Sequence, residues 1–130
     1  MFERRCGSST RNDKAYLKHI ADAISDIKCF MRNVTKEEFL ENSEKQYAVL
    51  RALEIIGEAT KNVSKEMKAK HPEVNWSDIA GMRDRLIHQY FGVNLDLVWA
   101  TVKKDLPELE NQVSEMLRKT RAIECRLSKE

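Results

Sequence analysis

The sequence predicts an all-α protein, an up-and-down helical bundle with short extra helices. The 130 residues include only four Gly and two Pro, and an all-β chain with many tight turns would need more of both. Apolar residues recur at steps of three and four, which is the period of an α-helix, and no segment shows the period of two expected of a strand. These observations favour helices joined by short connections.

Composition narrows the class of protein further. Hydrophobic residues make up 42% and charged residues 34% of the chain, too apolar for a disordered chain and too charged for a membrane protein. Cys6, Cys29 and Cys125 are far apart and form no CxxC pair, so we expect neither a disulfide framework nor a zinc site. No signal peptide or membrane-spanning run is recognisable, and we expect a cytoplasmic protein without a membrane partner. The net charge of +2 neither indicates nor excludes a nucleic-acid partner.

The polar residues 1–12 predict a flexible N-terminal arm ahead of a single helical domain over residues 13–130. The first helix of that domain is expected to begin near Asn12 or Asp13 and to end near Asn33. Its apolar stripe consists of Leu17, Ile20, Ile24, Ile27 and Met31.

Two capping boxes are predicted next along the chain. Thr35 with Glu38 opens a short helix, and Ser43 with Gln46 opens a long one. The long helix ends at His71, because the residue before a proline disfavours the α conformation. Its apolar positions are Tyr47, Leu50, Leu53, Ile56, Val63 and Met67.

A glycine lies inside this long helix, at Gly57, where it costs about 1 kcal/mol relative to alanine. Close packing of a neighbouring helix is the favoured explanation, and a functional role is the alternative. Further along, Asn75 or Ser77 caps a helix that runs to about Phe91 and is closed by Gly92.

The remaining segments predict two more helices. Asn94 caps the first of them, and residues 105–107 end it, with Pro107 suited to the first position of the last helix. The apolar stripe of the last helix consists of Leu109, Val113, Met116, Thr120, Ile123 and Leu127. Its end is basic, with Arg118, Lys119, Arg121 and Arg126.

Ideal helix geometry places Arg83 in the middle of an apolar side. That side consists of Ile79, Leu86, Ile87 and Tyr90. A guanidinium there needs partners, because an unpaired buried charge is costly. Glu54 and Glu58 on the long helix are candidates, so a structural ion pair and a functional role for Arg83 both stay open.

His88 lies about 140° from Arg83 on the same ideal helix, so a straight helix does not bring the two side chains together. Asp84 lies one turn before His88, and a carboxylate beside an imidazole orients the ring for general acid–base catalysis. A solvated pair on an outer face is the alternative. Spacing alone therefore indicates a helical bundle and no particular activity.

The segment from Arg83 to His88 matches the Arg-x4-His signature of the HEPN superfamily, and Tyr90 extends it to Arg-x4-His-x-Tyr. The chain resembles the HepT-like branch of that superfamily, toxins that are paired with a minimal nucleotidyltransferase. The surrounding segments that agree are Leu53–Ala59, Trp76–Met82, Phe91–Trp99 and Asp105–Pro107. The resemblance begins near Asn12, and Cys6 and the basic C-terminal residues lie outside it.

This resemblance implies a HEPN-like fold and a metal-independent endoribonuclease that acts as a homodimer, with the active cleft at the dimer interface. His88 would move a proton during attack of a ribose 2′-hydroxyl, and Arg83 would stabilise charge on the phosphorane-like transition state. Asp84 would hold the His88 ring. The substrate would be RNA, with transfer RNA as one candidate. We expect no cofactor and no metal site.

The resemblance also implies that Tyr90 accepts nucleotides from a minimal nucleotidyltransferase antitoxin (MntA-like), which neutralises the toxin by charge and bulk. A core aromatic near Phe91 and Trp99 is the alternative for this tyrosine. The alternative for the whole chain is a non-catalytic HEPN subunit that binds nucleotide or docks the transferase. The basic stripe of Lys61, Lys65 and Lys68 fits RNA binding or an ordinary solvated face equally well.

Overall fold

The computed structural model describes residues 9–88 and 92–128, with the side chains at 9–11, 83, 87, 88, 124, 127 and 128 outside the description. The elements are α1 (Ser9–Phe30), α2 (Lys36–Glu41), α3 (Ser43–Asn62), α4 (Lys65–Lys70), α5 (Trp76–Ala80), α6 (Met82–Leu86), β1 (Ile87–His88), β2 (Gly92–Val93), α7 (Leu95–Ala100) and α8 (Leu106–Ser128), with a π-helical turn at Thr101–Asp105. The predicted all-α fold class is confirmed. None of the helices in the described part of the chain is both long and apolar enough to cross a bilayer.

The bundle is built around α1, which packs against both α3 and α8. Lys28 in the last turn of α1 forms a 2.9 Å ion pair with Glu110 near the start of α8, so these two helices run antiparallel. All five predicted apolar positions of α1 are buried. In α3 the predicted stripe is buried except at Tyr47, which is 71% exposed. In α8 the predicted stripe is buried as far as Thr120.

Local capping signals were correct at one box and wrong at the other. The Thr35 hydroxyl accepts from the Glu38 amide and the Glu38 carboxylate accepts from the Thr35 amide, which confirms the first capping box. The box predicted at Ser43 and Gln46 is wrong. Asn42 caps α3 instead, because its side-chain oxygen accepts from the Lys45 amide. The Gln46 side chain donates to two carbonyls of α2.

The start of the first helix and the end of the long helix also differ from the prediction. α1 begins at Ser9, so residues 9–12 of the predicted arm have helical backbone, and residues 1–8 lie outside the described residues. The long helix predicted to reach His71 is divided, because α3 ends at Asn62 and α4 begins at Lys65. Ser64 makes the division, since its hydroxyl caps α4 by accepting from the Met67 amide. A serine side chain that bonds to nearby backbone competes with continued helix.

The helix predicted to reach Phe91 is wrong in its second half. It is interrupted at Gly81 and ends at Leu86, and β1 then pairs antiparallel with β2 in the register Ile87 to Val93 and His88 to Gly92. The expectation that the chain has no strand is therefore wrong for these four residues. Gly92 has a φ of +78°, a conformation that suits a tight hairpin as well as a helix end. Glycine at this position was thus an ambiguous signal.

The predicted cap at Asn94 is confirmed, because its side chain accepts from the Leu97 amide at 3.1 Å. The predicted break at 105–107 is wrong, since helical backbone continues from α7 through the π-helical turn into α8. The Leu106 amide donates to the carbonyl of Thr101, five residues earlier. A proline ring clashes with the carbonyl four residues before it, and the wider π turn ahead of Pro107 relieves that clash.

One buried carboxylate ties the start of α1 to the α3–α4 junction. Asp13 is 3% exposed, and it accepts from the Ser64 amide at 2.8 Å and from the Ser64 hydroxyl at 2.7 Å. The same hydroxyl caps α4. The carboxylate therefore fixes the residue that divides the long helix.

We predict that Asp13→Ala lowers the free energy of unfolding by about 1.5–3 kcal/mol, because it removes two hydrogen bonds to a charged group. Urea unfolding followed by circular dichroism measures the change. Asp22→Ala on the exposed face of α1 is the control and should stay within about 0.5 kcal/mol of the parent. Equal effects of the two variants would contradict the role assigned to Asp13.

Candidate active site

The backbone places the predicted catalytic residues on two different elements. Arg83 lies in α6, and His88 is the last residue of β1. The Arg83 and His88 side chains lie outside the described residues, as does the whole of Tyr90. The predicted positions of these three groups relative to one another are therefore untested.

One expectation about this segment is corrected. Asp84 and His88 were expected one turn apart on a helix, and Arg83 and His88 about 140° apart on it. The helix ends at Leu86, so these angular relations do not hold. The turn from α6 into β1 therefore places the backbone of Arg83 and that of His88 on two different elements.

Asp84 lines a cleft of about 290 Å³ between α3 and the α5–α6 segment. This cleft is thus bordered by a predicted site residue and lies beside the helix that carries Arg83. Its other lining residues are Arg51, Glu54, Gly57, Glu58, Lys61 and Ala80. We take it as the candidate active-site cleft.

The α3 wall of the cleft carries both signs of charge. Arg51, Glu54, Glu58 and Lys61 follow one another at steps of three and four, so they lie along one side of α3. Glu58 and Lys61 form a 3.6 Å ion pair that is exposed on both sides. Within the described residues, the Arg51 guanidinium makes no hydrogen bond or ion pair. It is free to take an anionic partner.

A second groove, of about 220 Å³, flanks the other side of α3. Tyr16 and His19 of α1 form its far wall, with their rings edge to face at 6.1 Å. Arg51, Glu54 and Glu58 line this groove as well as the cleft. The two grooves are therefore separated by one charged edge of α3.

This edge also exposes apolar surface. We call it the α3 stripe, defined as Tyr47, Arg51, Glu54, Ile55, Glu58 and Lys61. Within it Tyr47 is 71% and Ile55 is 37% exposed. The sequence analysis assigned Tyr47 to the core and gave Arg51 no role. The spacing of Arg51 to the glutamates and Lys61 was the signal that could have singled it out.

Gly57 forms the floor of the cleft. A Cβ atom there would lie 3.4 Å from the Ala80 carbonyl oxygen and 3.6 Å from that of Ile79. These are contact distances, so the end of α5 rests directly on α3 at this glycine. The close-packing interpretation of Gly57 is confirmed.

A further cavity, of about 280 Å³, lies between the α5–α6 segment and α8. It is lined by four carboxylates and one guanidinium, Arg85. Its Glu73 carboxylate is held ionised, since a hydrogen bond from its own backbone, assisted by the His71 ring, lowers the pKa of Glu73. The excess of negative charge makes this cavity a poor phosphate site. The acidic residues that line it are Glu73, Asp78, Asp105 and Glu108.

Metal-ligating residues do not converge in the described part of the chain. Among the side chains that the structure describes, no three from His, Cys, Asp or Glu are placed to hold a metal ion together. The side chains of Cys29 and Cys125 are both exposed. The chemistry of the candidate cleft is therefore considered from its charged side chains, which are Asp84 and the charged residues of α3.

Comparison with known proteins gives a consistent family. The model of the ribonuclease HepT-like family matches residues 20–116. A "Probable ribonuclease HepT" of Thermococcus cleftensis is 50% identical over 109 residues, which cover 84% of this chain and 98% of the relative. A "Putative RNase" of Caldanaerobacter subterraneus subsp. tengcongensis is 45% identical over 84% of this chain and 97% of its own length. Another protein named "Putative RNase", from Methanocaldococcus jannaschii, is 43% identical over 83% and 89%. No solved structure matches significantly.

We predict that Gly57→Ala raises the free energy of unfolding by up to about 1 kcal/mol, because the added methyl group meets ordinary contacts and favours helix. Gly57→Leu should lower it by about 1–3 kcal/mol, because the larger side chain separates α5 from α3. Thermal unfolding of both variants provides the measurement. Ser25→Leu, on an exposed position of α1, is the control for added apolar bulk. A Gly57→Leu variant as stable as the parent would contradict the close approach.

Proposed function

Because the chain belongs to the HepT-like ribonuclease family, we propose that it is a metal-independent endoribonuclease toxin of a type VII-like toxin–antitoxin pair. The observation that carries the proposal is the family match over residues 20–116, which includes the Arg83–His88 motif beside the cleft. The names of its relatives support RNase activity. Metal independence and toxicity go beyond those names and need their own tests.

The chemistry requires a base, a charge stabiliser and a ribose 2′-hydroxyl. His88 takes the proton from the 2′-hydroxyl as its oxygen bonds to the adjacent phosphorus. Arg83 stabilises the added negative charge on the phosphorane-like transition state. The bond from phosphorus to the 5′-oxygen then breaks, and that oxygen receives a proton. The products are a 2′,3′-cyclic phosphate and a 5′-hydroxyl.

Asp84 remains the supporting residue of this proposal, for a changed reason. Its helical spacing to His88 no longer supports contact with the ring, because α6 ends at Leu86. Its place in the cleft, next to Arg83 in sequence and opposite the charged wall of α3, favours an electrostatic role there. A carboxylate in that position orients cations that face the substrate.

We predict that His88→Ala and Arg83→Ala each lower the rate of RNA cleavage in EDTA by about a hundredfold or more, because each removes a group needed in the transition state. The measurement is single-turnover cleavage of total cellular RNA, with circular dichroism to verify folding. Arg85→Ala, two residues from Arg83 and facing the acidic cavity, is the matched control and should retain activity. Unmodified parent protein that leaves all RNA intact would favour the non-catalytic docking subunit instead.

A homodimer is the second part of the proposal. The α3 stripe supports it, because tyrosine and arginine are enriched at protein interfaces and Tyr47, Arg51 and Ile55 are exposed here at steps of four. The same stripe borders the cleft. A second copy seated on it would place two clefts at one interface.

The charges of the stripe favour one arrangement of the two copies. If two α3 helices pack antiparallel about a point between Glu54 and Ile55, Arg51 faces Glu58 of the partner subunit. The two-fold axis repeats the same pair on the other side. Parallel packing in register would oppose Arg51 to its own copy, and like charges repel. The antiparallel register is therefore self-complementary.

We predict that Arg51→Glu weakens the dimer at least tenfold, because it opposes two glutamates at each end of the interface. The double variant Arg51→Glu with Glu58→Arg should restore the dimer, because the pair is present again with its signs exchanged. Sedimentation equilibrium at micromolar concentration measures both. A parent protein that is monomeric throughout that range would contradict the dimer, and failure of the double variant to recover would contradict this register.

Neutralisation by a minimal nucleotidyltransferase antitoxin is the third part. Tyr90 lies two residues after His88 in the sequence, so nucleotides on its hydroxyl would bring phosphate charge and bulk to the motif. An RNA backbone would then be repelled and excluded. The partner would supply Mg²⁺ and ATP, and this chain would supply the phenolic oxygen.

We predict that wild-type protein gains adenylate mass on incubation with the transferase, Mg²⁺ and ATP, and that Tyr90→Phe gains none because the acceptor oxygen is missing. Intact-mass spectrometry provides the readout. Tyr47→Phe, which removes an exposed hydroxyl elsewhere, controls for general tyrosine modification. Equal modification of Tyr90→Phe and the parent would assign the acceptor to another residue.

A further inference from the structure

The end of α8 extends beyond the core of the bundle. The last buried residue of the helix is Thr120, and the helix continues to Ser128. Arg121, Ala122, Ile123, Cys125 and Arg126 are all exposed. The family match ends at residue 116, so this exposed part is a feature of the chain beyond the shared family domain.

Basic side chains occupy one side of this extension. At 100° per residue, Arg118, Lys119, Arg121 and Arg126 fall within an arc of about 160°. We call these four residues the α8 basic arc. Its centre lies opposite the stripe of Val113, Met116 and Thr120 that faces the core. The arc therefore points away from the bundle.

The protein's own carboxylates neutralise only part of this arc. Arg118 binds Glu115 through two hydrogen bonds, of 3.1 and 2.5 Å. Lys119 lies near enough to Glu73 and Glu115 to help lower the pKa of each carboxyl. Arg121 and Arg126 make no ion pair with any carboxylate whose side chain the structure describes. Two guanidinium groups thus remain available to an external anion.

An ordinary solvated helix face looks different in the same protein. On the exposed side of α1, Lys18 is followed by Asp22 and Asp26 at steps of four, so the two signs of charge are interspersed. Opposite charges at this spacing offset each other. On α8, no acidic residue between Glu115 and the end of the helix lies on the same side as the α8 basic arc, because Glu124 falls on another side of an ideal helix. The separation of charge distinguishes this surface.

We propose that the α8 basic arc binds the phosphate backbone of RNA outside the catalytic cleft. The inference rests on the proposed ribonuclease function, which supplies a polyanionic substrate. From Arg118 to Arg126 the helix rises about 12 Å, a length that spans three or four phosphates of one strand. Arginine is well suited to phosphate because its planar donors bind two oxygens at once.

A membrane surface is the competing partner for a basic amphipathic helix. Such a helix lies on a bilayer through a free apolar face. In α8 that face is covered by the bundle as far as Thr120. Beyond it, Ile123, 49% exposed, is the one large apolar side chain in the described part of the extension. Charge without a free apolar face favours RNA over a lipid surface.

The test compares two triple variants in a His88→Ala background, so that RNA is bound without being cut. One variant carries Lys119→Gln, Arg121→Gln and Arg126→Gln. The control carries Lys18→Gln, Arg32→Gln and Lys104→Gln, three exposed positions elsewhere that give the same change in net charge. Fluorescence anisotropy with a labelled 20-nucleotide uridine RNA measures affinity from 50 to 300 mM KCl.

The arc variant should bind at least tenfold more weakly at 100 mM KCl. Its slope of log affinity against log salt should fall by about two units, because each phosphate contact on a single strand contributes about 0.7. The control should keep the parent's slope. Equal losses in both variants would overturn the proposal, as would an arc variant that loses binding to anionic phospholipid vesicles while its RNA affinity is unchanged. This assay measures binding separately from cleavage. A protein that binds RNA through the α8 basic arc but cuts no RNA would contradict the ribonuclease function and would not contradict this inference.

Discussion

The carbonyl of Leu86 determines how the motif is presented. In a continuing α-helix it would accept from the amide of residue 90. It accepts instead from the Asn94 amide at 2.9 Å, and this bond closes the β1–β2 hairpin behind α6. Arg83 therefore lies on a helix and His88 on a strand. A motif that one straight helix would spread over two faces is bent at its middle, and the rest of the site must be built around that bend.

The surrounding scaffold depends on α3, which packs against α1 on one side and against α5 and α6 on another. Its buried face holds the core, and its outer edge presents the charged residues of the candidate cleft. Gly57 lets α5 approach so closely that Asp84, one turn beyond Ala80, reaches the same cleft. This helix–helix contact thus contributes to stability and also positions the two walls of the cleft. A side chain larger than alanine at this glycine would disturb both.

Signals confined to one or two helical turns predicted much of this structure. The apolar stripe of α1 and the caps at Thr35 and Asn94 depend on neighbours within four residues, and all three are confirmed. The division at Ser64 has a local part, the serine cap on α4, and a distant part, the bond from Ser64 to Asp13, 51 residues away, which no local pattern reports. The sequence also did not predict the β1–β2 hairpin, because Gly92 is equally compatible with a tight turn and with a helix end. At the site, the sequence predicted the motif. It did not predict the α3 wall, because Arg51 reaches the cleft only through the packing of α5 on α3.

The central claim is that this chain cleaves RNA by internal attack of the ribose, without a metal ion. The most direct measurement is the chemistry of the new ends, read by mass spectrometry after cleavage of a defined RNA in EDTA. The account predicts 2′,3′-cyclic phosphate and 5′-hydroxyl ends, and no cleavage where the reacting ribose lacks its 2′-hydroxyl. Ends with 3′-hydroxyl and 5′-phosphate groups, or cleavage that appears only when Mg²⁺ is restored, would contradict it.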